Sequence, residues 1–330
     1  MTLVQAKRLM GTKRDPARRA ALPVSNIVPG AIPKSFNSTE NWPQCADVIG
    51  HIRDQSDCGC CWAFGSTEAF NDRLCIATNK TTLLSPQDTC SCCNSAHGCS
   101  SGGCDGGFTE DAFNYFMKYG LVTGGDWGDK GKGDSCFPYQ LETCGHHEAS
   151  PLTPCPNVCS PGECATPKCP TVCSESTYAT PFSKDKHKAK QGAYRLDTVA
   201  KAQADILKYG SISAAFTVYS DFLTYTSGVY THKSGSELGG HAIKISGWGT
   251  TADGVDYWIA ENSWNNYWGM FGSFLIARGT DECGIEVSVN RSRVVCLSHP
   301  QILLNGNPLT QTQFLHSFHR QDDLVAGIAA

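Results

Sequence analysis

The chain has 330 residues, 40% of them hydrophobic and 18% charged, with a formal net charge of -4 and a pI near 6.2. That length buries a large core, as one big domain or two modest ones, and the charge leaves no electrostatic footprint for nucleic acid. No apolar run reaches membrane-spanning length, and nineteen cysteines are too many for a reducing cytosol.

Residues before about Ile32 are basic and carry prolines, with Arg14, Arg18 and Arg19 and no periodic apolar face, the composition of a linker or pro-segment. Met1 to Arg8 lacks a signal-peptide hydrophobic stretch. The cysteines carry more weight, so the secretory route is expected, with an N-terminus that is incomplete. Glycosylation acceptor triplets at Asn37, Asn79 and Asn290 point mildly the same way. From His51 to about Tyr119 the pattern is helical. Trp62, Ala69, Phe70 and Leu74 line one face of a first helix. A later helix takes a capping hydroxyl from Thr109 and acids from Glu110 and Asp111. Its buried face is Ala112, Phe113, Phe116 and Met117, and Gly120 closes it. Residues 124–183 are rich in Gly, Pro and Cys and must be stapled by disulfides. Lys201 to Tyr209 reads as another helix. Short alternating runs at 212–216, 242–245, 257–259 and 273–276 then read as strands between Gly-rich turns. A helical half followed by a β half gives an α+β fold in two lobes.

Cys61 lies in the run Gln55-Ser56-Asp57-Cys58-Gly59-Cys60-Cys61-Trp62 and opens the first helix. The positive end of a helix favours thiolate over thiol, and the thiolate is the nucleophile in covalent catalysis. Cys58 and Cys61 also form a Cys-x-x-Cys pair, which fits a disulfide oxidoreductase, and the cluster fits purely structural bridges as well. A nucleophilic thiolate needs a base and a group to orient it. Gly239-Gly240-His241 supplies a histidine at the start of a strand, and Glu261-Asn262-Ser263-Trp264 an amide beside an indole. These motifs, in this order, resemble the papain family of cysteine proteases, with Cys60 where Ser or Gly is usual. The resemblance implies Cys61 as nucleophile and His241 as base and then acid. Asn262 would fix the imidazole, Trp264 shield that bond from water, and Gln55 donate to the oxyanion with the Cys61 N–H. It implies no metal and no organic cofactor.

The chain is similar to the cathepsin B-like branch in particular. The motifs are Ser91-Cys92-Cys93, Gly103-Cys104-Asp105-Gly106-Gly107-Phe108, Asp221-Phe222-Leu223-Thr224-Tyr225 and Cys144-Gly145-His146-His147. The likeness runs from about Lys7 to Glu286. It implies a pro-segment remnant at 1–31 and a papain-like peptidase domain at 32–286. The helical lobe would span about 51–180, with an occluding loop near 136–173, and the β lobe about 181–286. Gly106 and Gly107 would bind substrate. His146 and His147 would receive the substrate's C-terminal carboxylate, so that dipeptides are removed; a zinc site built with neighbouring cysteines is the alternative. The implied bridges are Cys45–Cys75, Cys58–Cys104, Cys92–Cys169, Cys93–Cys99, Cys136–Cys173 and Cys144–Cys155. Cys283 matches an unpaired position. Of the extras, Cys159 is expected to join Cys164 and Cys60 to join Cys90, with Cys296 left over. Of two ionic contacts that hold the loop in relatives, His146 with Asp54 is kept, while Leu152 and Tyr267 replace the other.

After Cys283-Gly284-Ile285-Glu286 the likeness stops and resumes at Asp322-Asp323-Leu324-Val325-Ala326. Residues 287–321 therefore read as an insertion, disordered or a surface loop, with a translated intron as one origin, and 322–330 as a terminal strand of the β lobe; a divergent tail is the plain alternative. In the spliced register Asp323 falls at the base of the pocket for the P2 side chain, where it would accept arginine. The expected protein is a lysosomal or secreted, monomeric endopeptidase and peptidyl-dipeptidase. Its partners would be protein and peptide substrates and cystatin-like inhibitors, not nucleic acid or membrane. Its rivals are a catalytically silent homologue acting as a binding protein, and the oxidoreductase.

Overall fold

A computed structural model describes residues 2–146, 150–156, 164–286, 291–292, 319–320 and 324–326. Among the described residues eight α-helices follow in chain order: α1 Leu3–Leu9, α2 Pro16–Ala20, α3 Ser38–Asn41, α4 Ala46–Ile49, α5 Cys61–Thr78, α6 Pro86–Cys92, α7 Thr109–Lys118 and α8 Val199–Tyr209. The strands are β1 Phe36–Asn37, β2 Tyr194–Arg195, β3 Ile212–Tyr219, β4 Val229–Tyr230, β5 Glu237–Thr250, β6 Asp256–Glu261, β7 Ser273–Ala277, β8 Arg291–Ser292, β9 His319–Arg320 and β10 Leu324–Ala326. Eight of them form one sheet in the order β2-β10-β3-β5-β6-β7-β4, with β1 on β5. Its pairings are antiparallel apart from β4 with β7. Short β10 sits between β2 and β3, Leu324 opposite Ala214 and Val325 opposite Arg195. Within 287–321 the described residues are β8 and β9, which pair with each other.

Helix α5 organises the molecule. The expected one-sided face is not what forms: residues 61–75 are buried all round, polar ones included, because α6 and α7 cover one flank and β5 and β3 the other. Gly65 allows the closest approach, since a Cβ there would meet the Ile243 backbone at 3.0 Å. The one buried cation of the helix is satisfied. Arg73 donates to the Ser211 carbonyl (2.7 Å) and Tyr194 Oη (3.0 Å) and pairs with Asp205, as buried charges must.

Several expectations change locally. Residues before Ile32 hold two short helices: Thr2 and Gln5 close a capping box on α1, and Asp15 caps α2. The cap of α7 is Phe108, with Thr109 inside the helix, and Met117 points outward at 42% exposure while Tyr115 joins Phe113 and Phe116 in the core. Strand β5 begins at Glu237, so His241 lies within the strand, paired with Phe216, rather than at its start. The stretch 124–183 has one 3-10 turn, Trp127–Asp129, as its regular structure among the described residues. It is tied by Cys92–Cys169, Cys136–Cys173 and Cys144–Cys155, and the other three implied bridges are present too. Cys283, expected to be unpaired, is disulfide-bonded, as is Cys164; Cys159 and Cys296 lie outside the described residues.

Cys60 and Cys90 are free thiols rather than a bridge. Cys60 Sγ sits 3.2 Å from Tyr139 Oη, and burial, then contact with Cys90, pushes its thiol well above the usual range. A protonated thiol in a dry site does not attack. Alkylation of folded protein followed by peptide mapping should leave Cys60 and Cys90 unmodified until denaturant is added. Rapid native labelling at either would contradict this arrangement.

Lys244, Glu68, Asp72 and Glu261 are packed between α5 and the sheet, all but dry. Lys244 Nζ pairs with Asp72 Oδ2 at 3.0 Å and donates to the Ile49 carbonyl at 2.6 Å. Ser246 donates to Glu261 Oε1 at 2.5 Å. Three carboxyls face one ammonium, and burial lifts Glu261 to about 8 and Glu68 to about 7. Both bind a proton in the fold at pH values where the unfolded chain has released it. Their contribution is therefore complete below roughly pH 4.5 and is lost as pH rises through 7 to 8. Thermal unfolding should show a lower Tm at pH 8 than at pH 5, and Glu261→Gln should reduce that difference. An undiminished difference in the variant would assign the loss elsewhere.

Candidate active site

Cys61 is the first residue of α5, where unpaired N–H groups and the helix dipole favour a negative sulfur. His241 comes from β5, and Asn262 follows β6; both are fully buried. His241 Nε2 lies 2.7 Å from Asn262 Oδ1, leaving Nδ1, which has no other hydrogen bond, for the Cys61 thiol that His241 contacts. The Trp264 ring lies over the imidazole, centroids 4.8 Å apart. Burial pushes the Cys61 thiol up, but the His241 imidazole, the Thr12 hydroxyl and the Ala242 amide outweigh it and bring it down to about 7.

Gln55 is held from three sides. Its Oε1 accepts from Ser263 Oγ (2.7 Å), its carbonyl accepts from Tyr139 Oη (2.7 Å), and its Nε2 donates to the carbonyls of Cys58 (2.7 Å) and Leu9 (3.1 Å). No motif marked Ser263 or Tyr139 as supports. Nor did any mark Asn265, which adopts a left-handed backbone (φ 56) and donates to Asp54 Oδ2 at 3.1 Å. Asp54 Oδ1 in turn meets His146 Nε2 at 2.8 Å. His146 is buried, with Nδ1 3.5 Å from Cys155 Sγ. Cys144 and Cys155 are bonded to each other, so neither offers the thiolate that a zinc site would use. His147 and Asp323 lie outside the described residues.

The N-terminal segment runs through this site. Gly107 donates to the Gly11 carbonyl and accepts from the Lys13 N–H, both at 2.8 Å, while Thr12 donates its N–H to the Gly240 carbonyl at 3.0 Å. Thr12 Oγ1 rests 3.2 Å from Cys61 Sγ. Gly106, at φ 90, and Gly107 thus present a peptide edge across from β5. The Gly11 backbone presses on Gly59 so tightly that a Cβ would fall 1.6 Å from the Gly59 oxygen. Arg8 pairs with Asp57, and α1 donates to the loop that carries His146 through Gln5 Nε2 to the Cys155 carbonyl, 3.0 Å.

A family model described as papain family cysteine protease matches residues 32–292. Cathepsin B-like cysteine proteinase 5 of Caenorhabditis elegans is 44% identical over 286 residues, 86% of this chain and 80% of that protein. Cathepsin B-like cysteine proteinase 4 of the same worm is 43% identical over 260 residues, 78% of this chain and 74% of that one. The chain belongs to the cathepsin B-like cysteine proteases of the papain family. Among solved structures, procathepsin B S9 from Trypanosoma congolense superposes with a TM-score of 0.70 at 31% identity over 86% of each chain. Digestive procathepsin L 3 of Tenebrio molitor larval midgut shares the fold at TM-score 0.59 and 21% identity, over 86% of this chain and 77% of that one. The papain-like fold and the hydrolase class therefore rest on relatives as well as on residues. Among the described residues no helix is long and apolar enough to cross a membrane.

The fit at Gly11 gives a direct test. Gly11→Leu should free the N-terminal segment from the Gly59 backbone and speed labelling of Cys61 by a thiol probe about tenfold or more. Labelling at the parent rate would mean the segment does not control access to the sulfur.

Proposed function

We propose that the chain is the pro-form of a peptidase that cleaves peptide bonds through Cys61, His241 and Asn262. The observation that carries this reading is the 2.7 Å His241–Asn262 contact beside a thiol brought down to about 7. His241 takes the thiol proton and the sulfur attacks the peptide carbonyl. The Gln55 amide and the Cys61 N–H stabilise the oxyanion, and His241 returns the proton to the leaving amine. Water then hydrolyses the acyl-enzyme. Residues 1–31 act as the pro-segment, since Thr12 occupies the place a substrate would take at the sulfur, and 32–286 form the two-lobed catalytic domain. The cysteine bridges fit a lysosomal or secreted setting. Labelling with an epoxide thiol probe after removal of the segment, and its loss in Cys61→Ser, tests the enzyme against a silent binding protein. Asn262→Ala should lower kcat about tenfold or more, because the imidazole loses its fixed tautomer.

The stretch near 136–173, with His146 and His147 between Cys144 and Cys155, is the occluding loop in this reading and confers removal of C-terminal dipeptides. One clasp, His146 with Asp54, holds it, and Leu152 and Tyr267 add no ion pair. Single clasping favours the open loop, endopeptidase cleavage and cystatin access. His146→Ala should lower dipeptide release from free C-termini while sparing or raising cleavage of blocked peptides. Equal loss on both substrate types would refute the loop assignment. Asp323 as the acid below the P2 side chain rests on the resemblance, and paired Arg-Arg and Phe-Arg substrates test it.

A further inference from the structure

The N-terminal segment also makes a side-chain contact at the start of α7, away from the sulfur. Arg18 Nε donates to Glu110 Oε1 at 3.2 Å, Arg18 Nη2 pairs with Asp111 Oδ1, and the guanidinium carbon lies 4.1 Å from the Phe108 ring centroid. Two carboxylates and an aromatic face enclosing one planar cation make a guanidinium site. The site is built from the body of the protein, not from the segment. Asp111 Oδ2 accepts from the Ser100 N–H (2.7 Å) and Ser101 Oγ (3.0 Å), and Ser101 Oγ accepts from the Phe108 N–H (3.0 Å). Those bonds do not involve Arg18 and hold the carboxylate and the ring base in place without it. Phe108 directly follows Gly106 and Gly107, the edge that carries the peptide backbone through the site.

We propose that Phe108, Glu110 and Asp111 form a subsite for an arginine side chain of incoming peptides, filled by Arg18 until the segment is removed. The proposal rests on the reading of residues 1–31 as a pro-segment and of the Gly107 edge as a substrate strand. The segment leaves that edge at Lys13 and comes back to Phe108 through α2. A substrate would therefore reach the subsite with a residue beyond P2 on the acyl side of the scissile bond.

The test uses full-length protein folded first and then freed of its N-terminal segment by limited proteolysis. Binding is measured on the Cys61→Ser form and cleavage on the parent. Peptides that differ at P3, P4 or P5 carry arginine, its neutral isostere citrulline, or alanine. Arginine at one of these positions should bind about fivefold more tightly than citrulline, the scale of one exposed ion pair plus one cation–π contact. Glu110→Gln should remove that preference while leaving alanine peptides unchanged. Equal binding of arginine and citrulline at every position, or a preference that survives Glu110→Gln, would overturn the subsite. An arginine preference in the Cys61→Ser form with no cleavage by the parent would sink the peptidase reading and leave the subsite standing. Cleavage of all peptides alike would do the reverse.

Discussion

Where Gly65 of α5 meets the Ile243 backbone of β5, the helix that begins with Cys61 and the strand that carries His241 touch without a side chain between them. This contact sets the spacing of nucleophile and base, because both elements are stiff and His241 lies only two residues from the point of contact. Asn262 is then delivered by β6, the neighbour of β5 in the sheet. Preorganisation of this kind costs the reaction nothing when it occurs, since the folding energy of the helix–sheet interface has already fixed the geometry.

The same interface accepts a high polar load. Lys244 with three carboxyls, and Arg73 with Asp205, are buried around α5. Such groups stabilise little on their own, but each arrangement admits few alternatives in which every charge keeps its partner. The helix therefore has one register against the sheet. A slip of one residue would strand an ammonium or a guanidinium, and with it move the sulfur.

Much of this was legible in the residues. Cys61, His241, Asn262 and Gln55 stood in motifs whose chemistry is specific, and the structure brings all four together; the strands after Ser211 appeared through their alternation. The environment of α5 was not legible, because periodicity describes a helix with one wet face and this one has none. Its Ser66, Thr67, Asn71 and Asp72 read as a polar side until the covering elements are known. Ser263, Tyr139 and Asn265 were equally silent: their roles come from hydrogen bonds to Gln55 and Asp54 across 84 to 211 residues of chain. The short helices α1 and α2 have local caps in Thr2, Gln5 and Asp15, but the pairs that dock them on the body, Arg8 with Asp57 and Arg18 with Glu110 and Asp111, lie outside a local reading of a basic, proline-bearing stretch.

The free Cys90 thiol has a neighbour that gives it a further meaning. Its sulfur lies within 4.8 Å of both sulfurs of the Cys58–Cys104 bridge, the kind of bond that thiol–disulfide exchange attacks. Exchange there would release Cys58 or Cys104 and loosen the turn that leads into Cys61. What opposes it is burial: the thiol is 1% exposed, and exchange needs a thiolate that a buried sulfur forms poorly. The pairing of the cysteines beside the nucleophile is thus guarded by dryness as much as by covalency. A reductant added to keep Cys61 active puts that pairing at risk only when the protein opens enough to wet Cys90.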